Sequence, residues 1–221
     1  MSIKERIDDL KDQIPIHANL IAVSKTRTLE EIEEAYLTGI RDFGENKVQE
    51  LVDKYDKFHK DVKWHFIGHL QRNKVKYIVG KVFLIHSLDS IQLLNEIEKK
   101  FASAGETANV LIQINIGRDE NKSGILIEAL EELISACEKC NNVKVLGLMT
   151  VIPKGDESSN RKYFRKMKEI FDDLKTKNYK NISMEYLSMG MSGDYKIALE
   201  EGANVIRIGE GIFGKRNYNN K

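Results

Sequence analysis

The chain has 221 residues, 41% hydrophobic and 31% charged, a size and balance that suit one compact domain over residues 1–221. Its 35 basic and 34 acidic residues leave a net charge of +1, so the electrostatics give no reason to expect a nucleic-acid or other polyanion partner. No run reaches the length of a membrane span, and Met1-Ser2-Ile3-Lys4-Glu5-Arg6 lacks the apolar core of a signal peptide, so a cytoplasmic protein with no membrane partner is expected.

Apolar spacing at Ile3, Ile7 and Leu10 predicts a short amphipathic helix that Pro15 ends. Residues 19–24 read as a buried strand that stops in Ser24, Lys25 and Thr26. Alternation puts Ile21, Val23 and Lys25 on one face. If that face is the core, Lys25 sits at its rim, partly desolvated. There its pKa can fall and its amine can attack a carbonyl carbon. The alternative is a lysine that snorkels to water.

Residues 29–37 form a helix that Gly39 stops, and residues 40–44 a strand running into Glu45-Asn46. A helix over 48–58 precedes a strand over 63–67, which opens into Gly68-His69. A helix over 74–79 and a strand over 82–85, ending in His86-Ser87, come next. Asp89 caps a helix whose apolar face is Ile91, Leu94, Ile97 and Phe101. A strand over 109–115 leads into the polar loop 117–124, and a helix over 126–137 follows. The last third reads as a strand at 143–149, a turn-rich loop at 153–160 and a charged helix at 161–175. After these come a strand at 185–188, a helix to Glu201, a strand at 204–208 and a Gly-rich end at 209–214.

The strand–helix cycle runs eight times, the number a closed (β/α)8 TIM barrel needs. The alternative is an open doubly wound sheet, but no G-x-G-x-x-G follows an early strand and neither half looks like a second domain. In a barrel the active groups sit where strands end. Those residues here are Lys25, Asn46, His69, His86, Ser87, Asn115, Met149, Thr150, Ser188 and Gly209, most of them polar. The turns Gly190-Met191-Ser192-Gly193-Asp194 and Gly209-Glu210-Gly211 follow strands seven and eight, where barrels often hold a phosphate on free amides and hydroxyls. The alternative is two tight turns that need glycine for geometry.

Parity also sets Val205, Arg207 and Gly209 on one face, so Arg207 projects into the barrel if that face is interior. A buried guanidinium needs a carboxylate or an aromatic nitrogen acceptor; the alternative is an ordinary internal ion pair, for instance with Glu185. His65, His69 and His86 invite a metal reading, but the first two span a strand and its exit turn rather than one helix face. They are read as hydrogen-bonded histidines, with no metal. Cys137 and Cys140 form a C-x-x-C near a helix end with no second pair; Cys137 is read as packing and Cys140 as incidental.

Eight blocks carry a family resemblance. They are Ala22-Val23-Ser24-Lys25-Thr26, Phe43-Gly44-Glu45-Asn46-Lys47-Val48-Gln49-Glu50, Trp64-His65-Phe66-Ile67-Gly68-His69-Leu70-Gln71, His86-Ser87-Leu88-Asp89, Gln113-Ile114-Asn115-Ile116, Lys122-Ser123-Gly124, Leu187-Ser188-Met189-Gly190-Met191-Ser192 and Arg207-Ile208-Gly209. In this order, over nearly the whole chain, they resemble the pyridoxal phosphate homeostasis protein family. The resemblance implies the barrel of fold-type III pyridoxal-phosphate proteins without the C-terminal β-domain of alanine racemases. It implies that Lys25 binds the cofactor as a Schiff base, that Arg207 faces the pyridine nitrogen, and that Asn46, His86, Met149 and Ser188 line the cofactor. Ser192, Gly209, Glu210 and neighbouring amides, Met191 among them, would hold the phosphate.

At one place the chain departs from that pattern. The family commonly has Thr or Ser, then Ala, where Glu210 and Gly211 stand here. A hydroxyl donor is lost and a carboxylate appears, although the amide of residue 210 can still donate. The family is regarded as handling the intracellular supply of pyridoxal 5′-phosphate, without an established catalytic turnover. The alternative is a low-activity racemase or lyase. Pyridoxal-phosphate-dependent apoenzymes are the partners this implies, and a standalone barrel points to a monomer.

Overall fold

Alternating capped helices and short apolar strands wind the chain into a closed barrel. A computed structural model describes residues 1–215. The strands are β1 (Asn19–Val23), β2 (Asp42–Glu45), β3 (Lys63–Phe66), β4 (Leu84–Leu88), β5 (Ala108–Gln113), β6 (Val143–Met149), β7 (Ile182–Ser188) and β8 (Val205–Ile208). Each pairs in parallel with the next, and β8 returns to β1 with Arg207 opposite Ile21. The closed (β/α)8 barrel expected from the sequence is therefore the observed fold.

The helices are α1 (Ile3–Lys11), α2 (Leu29–Leu37), α3 (Val48–Lys57), α4 (Ile91–Ala104), α5 (Leu130–Cys137), α6 (Glu157–Lys175), α7 (Tyr195–Glu200) and α8 (Glu210–Phe213). Local chemistry starts several of them. Ser2 with Glu5 and Thr28 with Glu31 form capping boxes on α1 and α2. The main core lies between strands and helices: Ala22, Phe43, Trp64, Phe66 and Ile206 meet Ile7, Ile32, Leu51, Phe164 and Met167. The opposite strand faces fill the lumen, where Leu84, Leu111 and Met149 form a separate apolar cluster. Gly147 sits at a register shift between β6 and β7 with φ +147°; a Cβ there would come 1.9 Å from the carbonyl oxygen of Tyr186. Only glycine allows that approach.

Several elements differ from the sequence expectation: β7 begins at Ile182 rather than 185, and the helix expected over 126–137 is a 3₁₀ turn at Ile127–Ala129 followed by α5. The helix expected over 74–79 is a 3₁₀ helix at Arg72–Tyr77, because Val75 is its one buried side chain and a full α-helix would have no apolar stripe to bury. β4 runs over Leu84–Leu88 rather than 82–85, so His86 and Ser87 are buried strand residues and not exit-loop residues. Ser90, not Asp89, caps α4 by accepting from the amide of Leu93. α6 starts at Glu157, capped by Asp156, inside the stretch read as a loop. Among the described residues no helix is long and apolar enough to cross a membrane.

Candidate functional site

β1 ends at Val23 and hands Ser24, Lys25 and Thr26 to the carboxyl-terminal rim of the barrel. The residues flanking Lys25 are anchored. The Ser24 amide donates to the Gly44 carbonyl (3.0 Å), and its hydroxyl donates to Glu45 Oε1 (2.6 Å). Lys54 Nζ, from α3, donates to the Ser24 carbonyl (2.8 Å) and to the same carboxylate oxygen (2.7 Å). On the far side the Thr26 amide donates to Glu50 Oε2 (2.7 Å), which holds Thr26 at φ +64°. That conformation is costly for a β-branched residue and persists only when its surroundings impose it. Lys25 is thus presented from a backbone fixed on both sides. Burial pushes the Glu45 carboxyl up even with Lys54 beside it.

Lys25 lines a cleft of about 360 Å³ together with Val23, Arg27, Gly209, Glu210, Gly214 and Lys215. Among the described residues the lining carries Lys25, Arg27 and Lys215 beside one carboxylate, Glu210, a basic surface that favours an anionic ligand even with Arg27 paired to Glu31. Arg27 fixes the far wall by donating to the Gly214 carbonyl (2.6 Å) and pairing with Glu31 (3.0 Å). The two Gly-rich turns are tied together, since the Gly211 amide donates to Ser192 Oγ (3.2 Å). The first turn is not a row of free amides, as the sequence reading supposed: the Met191 amide donates to Asp194 Oδ1 (2.6 Å). Asp194 closes its own turn, and so removes one donor from the proposed cradle. Met191 itself is partly exposed.

Arg207 does project into the lumen, nearly fully buried. Its partners are Ser188 Oγ (2.6 Å from Nη1) and the Thr150 carbonyl (2.8 Å from Nη2). The ion pair considered with Glu185 does not form, because Glu185 faces outward and accepts from Ser183 (2.8 Å). Burial lowers the guanidinium pKa to about 10, which still leaves it charged at neutral pH. Beneath it, His86 bridges Ser188 and His65, and His65 reaches Asp42. Burial and the neighbouring His65 and Arg207 hold His86 well below the ordinary histidine range, so it is neutral. Met149 is buried in the lumen cluster. The side-chain oxygens of Asn46 and Ser87 are buried without a hydrogen-bond partner among the described residues.

Other strand-end residues serve their own loops. Asn115 staples 119–122 by bonding Asp119 and the Lys122 carbonyl. His69 is exposed on Asp89 (3.2 Å), apart from the buried His65–His86 pair. Among the described residues no group of three or more His, Cys, Asp or Glu is placed to hold a metal ion. Cys140 is not incidental: like Cys137 it is buried in the core, and burial pushes the two thiols up to about 11 and about 12.

Sequence reading missed Lys54, Glu50 and Asp42. Lys54 lies on the same helix stripe as Leu51, which was the available signal.

Residues 1–217 match the model of the family described as alanine racemase, N-terminal domain. A pyridoxal phosphate homeostasis protein of Aquifex aeolicus is 47% identical over 203 residues, 91% of this chain and 88% of that one. A structure of PipY from Synechococcus elongatus PCC7942 with pyridoxal phosphate bound superposes with a TM-score of 0.88 at 32% identity, covering 96% of this chain and 100% of that one. An alanine racemase of Clostridium difficile 630 shares the fold, with a TM-score of 0.75 at 16% identity, over 99% of this chain and 57% of that one. By its sequence and its barrel alike, the chain belongs to the pyridoxal phosphate homeostasis protein family, built on the alanine racemase N-terminal domain.

Proposed function

We propose that the chain binds pyridoxal 5′-phosphate at the barrel mouth and holds it for delivery, without a turnover of its own. The observation that carries this reading is Lys25, braced on both sides, in a cleft with Arg27, Lys215, Gly209 and Glu210. The residues present fit the group: an amine for its aldehyde, and basic side chains beside the amides of a Gly-rich turn for its phosphate. When bound, the cofactor supplies an aldehyde that condenses with a primary amine.

The chain's own residues do the rest. Lys25 provides the amine. Ser192, with its oxygen accepting from Gly211, keeps a hydroxyl hydrogen for the phosphate, beside the Glu210 amide. Arg207 offers a donor to the ring nitrogen, which disfavours protonation there and weakens the ring as an electron sink. Asn46, His86, Met149 and Ser188 shape the wall around it. These roles favour retention and release over racemisation. Pyridoxal-phosphate-dependent apoenzymes are the proposed recipients, and a cytoplasmic monomer the proposed state.

Titrating the purified protein with pyridoxal phosphate tests the reading. A visible band shifted from that of the free aldehyde, and saturating at one equivalent, is expected. A racemase or lyase would instead wash solvent deuterium into the α-position of an amino acid at a catalytic rate; a broad screen is expected to show none.

A further inference from the structure

The lumen holds a row of side chains that runs from the barrel floor to the guanidinium at the mouth. Asp42 opens β2 at the amino-terminal end, with its side chain 28% exposed. Its Oδ1 lies 2.9 Å from His65 Nε2, and His65 Nδ1 lies 3.0 Å from His86 Nε2. His86 Nδ1 is 3.0 Å from Ser188 Oγ, which accepts from Arg207 Nη1 at 2.6 Å. His65, His86, Ser188 and Arg207 are all buried. They come from five strand segments, brought into file by barrel parity: 42 on β2, 65 on β3, 86 on β4, 188 on β7 and 207 on β8.

The chemistry of the two ends fixes the direction of the bonds those ends make. Arginine can only donate, and an ionised carboxylate can only accept. Asp42 therefore takes the Nε2–H of His65. With His65 neutral, its Nδ1 accepts the Nε2–H of His86, and His86 Nδ1 accepts the hydroxyl of Ser188. With its hydrogen so directed, the Ser188 oxygen turns a lone pair to Arg207. Two patterns satisfy all four links: in one, both histidines are neutral with the hydrogen on Nε2; in the other, His65 is an imidazolium, His86 donates from Nδ1, and the Ser188 hydrogen is not used in the row. The first uses every hydrogen and places no charge in the buried pair. The charged groups acting on the row are Asp42 at the floor, beside Tyr186, and Asp194 near Arg207 at the mouth.

We propose that Asp42, His65 and His86 are positioning residues for Arg207. The carboxylate at the floor sets a hydrogen-bond polarity that reaches Ser188. Ser188 and the Thr150 carbonyl then lock the guanidinium so that its other N–H groups serve a ligand. This rests on the reading that Arg207 meets the ring nitrogen of pyridoxal phosphate. It extends the site from the mouth to the opposite end of the barrel.

The first test needs no cofactor. The protein labelled with ¹⁵N-histidine is examined by NMR at pH 7, and the ring signals are assigned with His65→Gln and His86→Gln. Both rings are expected neutral, with the hydrogen on Nε2. An imidazolium, or an Nδ1–H ring at either position, would overturn the proposal.

The second test is Asp42→Asn, a change far from the Lys25 cleft. An amide can donate as well as accept, so both polarities become allowed. The His86 signals should move toward an average of tautomers. Pyridoxal phosphate affinity should fall about fivefold, with the circular dichroism unchanged. Unchanged affinity overturns the positioning role. If wild-type protein binds no pyridoxal phosphate while both histidines keep the stated tautomer, the cofactor reading fails and the row stands.

Discussion

Glu210 stands where the family resemblance implies a hydroxyl side chain, and its effect can be measured. Among the described residues it is the one carboxylate lining a cleft that also holds Lys25, Arg27 and Lys215. A carboxylate beside a phosphate repels it, whereas a hydroxyl donates to it. Glu210→Ser should therefore tighten pyridoxal phosphate binding by about threefold in equilibrium dialysis at low salt, and the gain should shrink as salt screens the charge. Weaker binding in the variant would mean that Glu210 helps to build the turn. The cysteines give a second residue-level expectation. With thiols at about 12 and about 11, almost no thiolate exists at pH 8, so iodoacetamide should label neither in the native protein and both in urea. At this scale Lys25 and Arg207 were legible because strand parity alone placed them. Asp42 was not, since a lone acidic residue before a short strand reads as solvent-facing until the barrel closes and brings His65 to it.

Lys54, Glu45 and Ser24 show what α3 does for β1 and β2. The helix sends a lysine, with a side chain 10% exposed, onto a carboxylate with none, and the pair grips the strand end that carries Lys25. Removing one partner leaves a buried charge. Lys54→Met should cost about 3–5 kcal/mol at pH 8 in urea unfolding. The pH dependence has a definite sign. Burial raises the folded-state pKa of Glu45 above its ordinary 4.5. A raised carboxyl favours folding fully below the unfolded value and loses that contribution as pH rises through the folded one. The Lys54→Met protein should therefore regain stability between pH 8 and pH 5, and Glu45→Gln added to it should flatten the profile. A single variant as stable as wild type at pH 8 would contradict the brace. Elements were read well where apolar periodicity was strong, as in α1, α2 and β6. They were misread where polar residues are buried or cap a helix. His86 and Ser87 ended β4 too early on paper, and the Asp156-to-Asn160 stretch looked like loop because Ser and Asn also start helices.

The whole molecule divides its labour between the two layers of the barrel. The outer layer carries the apolar core and the ion pair behind Lys25; the lumen carries Arg207 and its file of partners. The eightfold alternation was visible in the sequence because each strand brought its own apolar run. The links across strands were not, since they depend on register and on the shifts among β4, β5, β6 and β7. Such shifts leave no mark in composition. The central claim is that one braced amine holds the cofactor, and the most direct measurement is chemical. Protein loaded with pyridoxal phosphate is reduced with borohydride, digested and mapped by mass spectrometry. A single pyridoxyl-phosphate adduct on Lys25, absent from Lys25→Ala, is the predicted result. An adduct on another lysine, or one that survives in Lys25→Ala, would contradict the account.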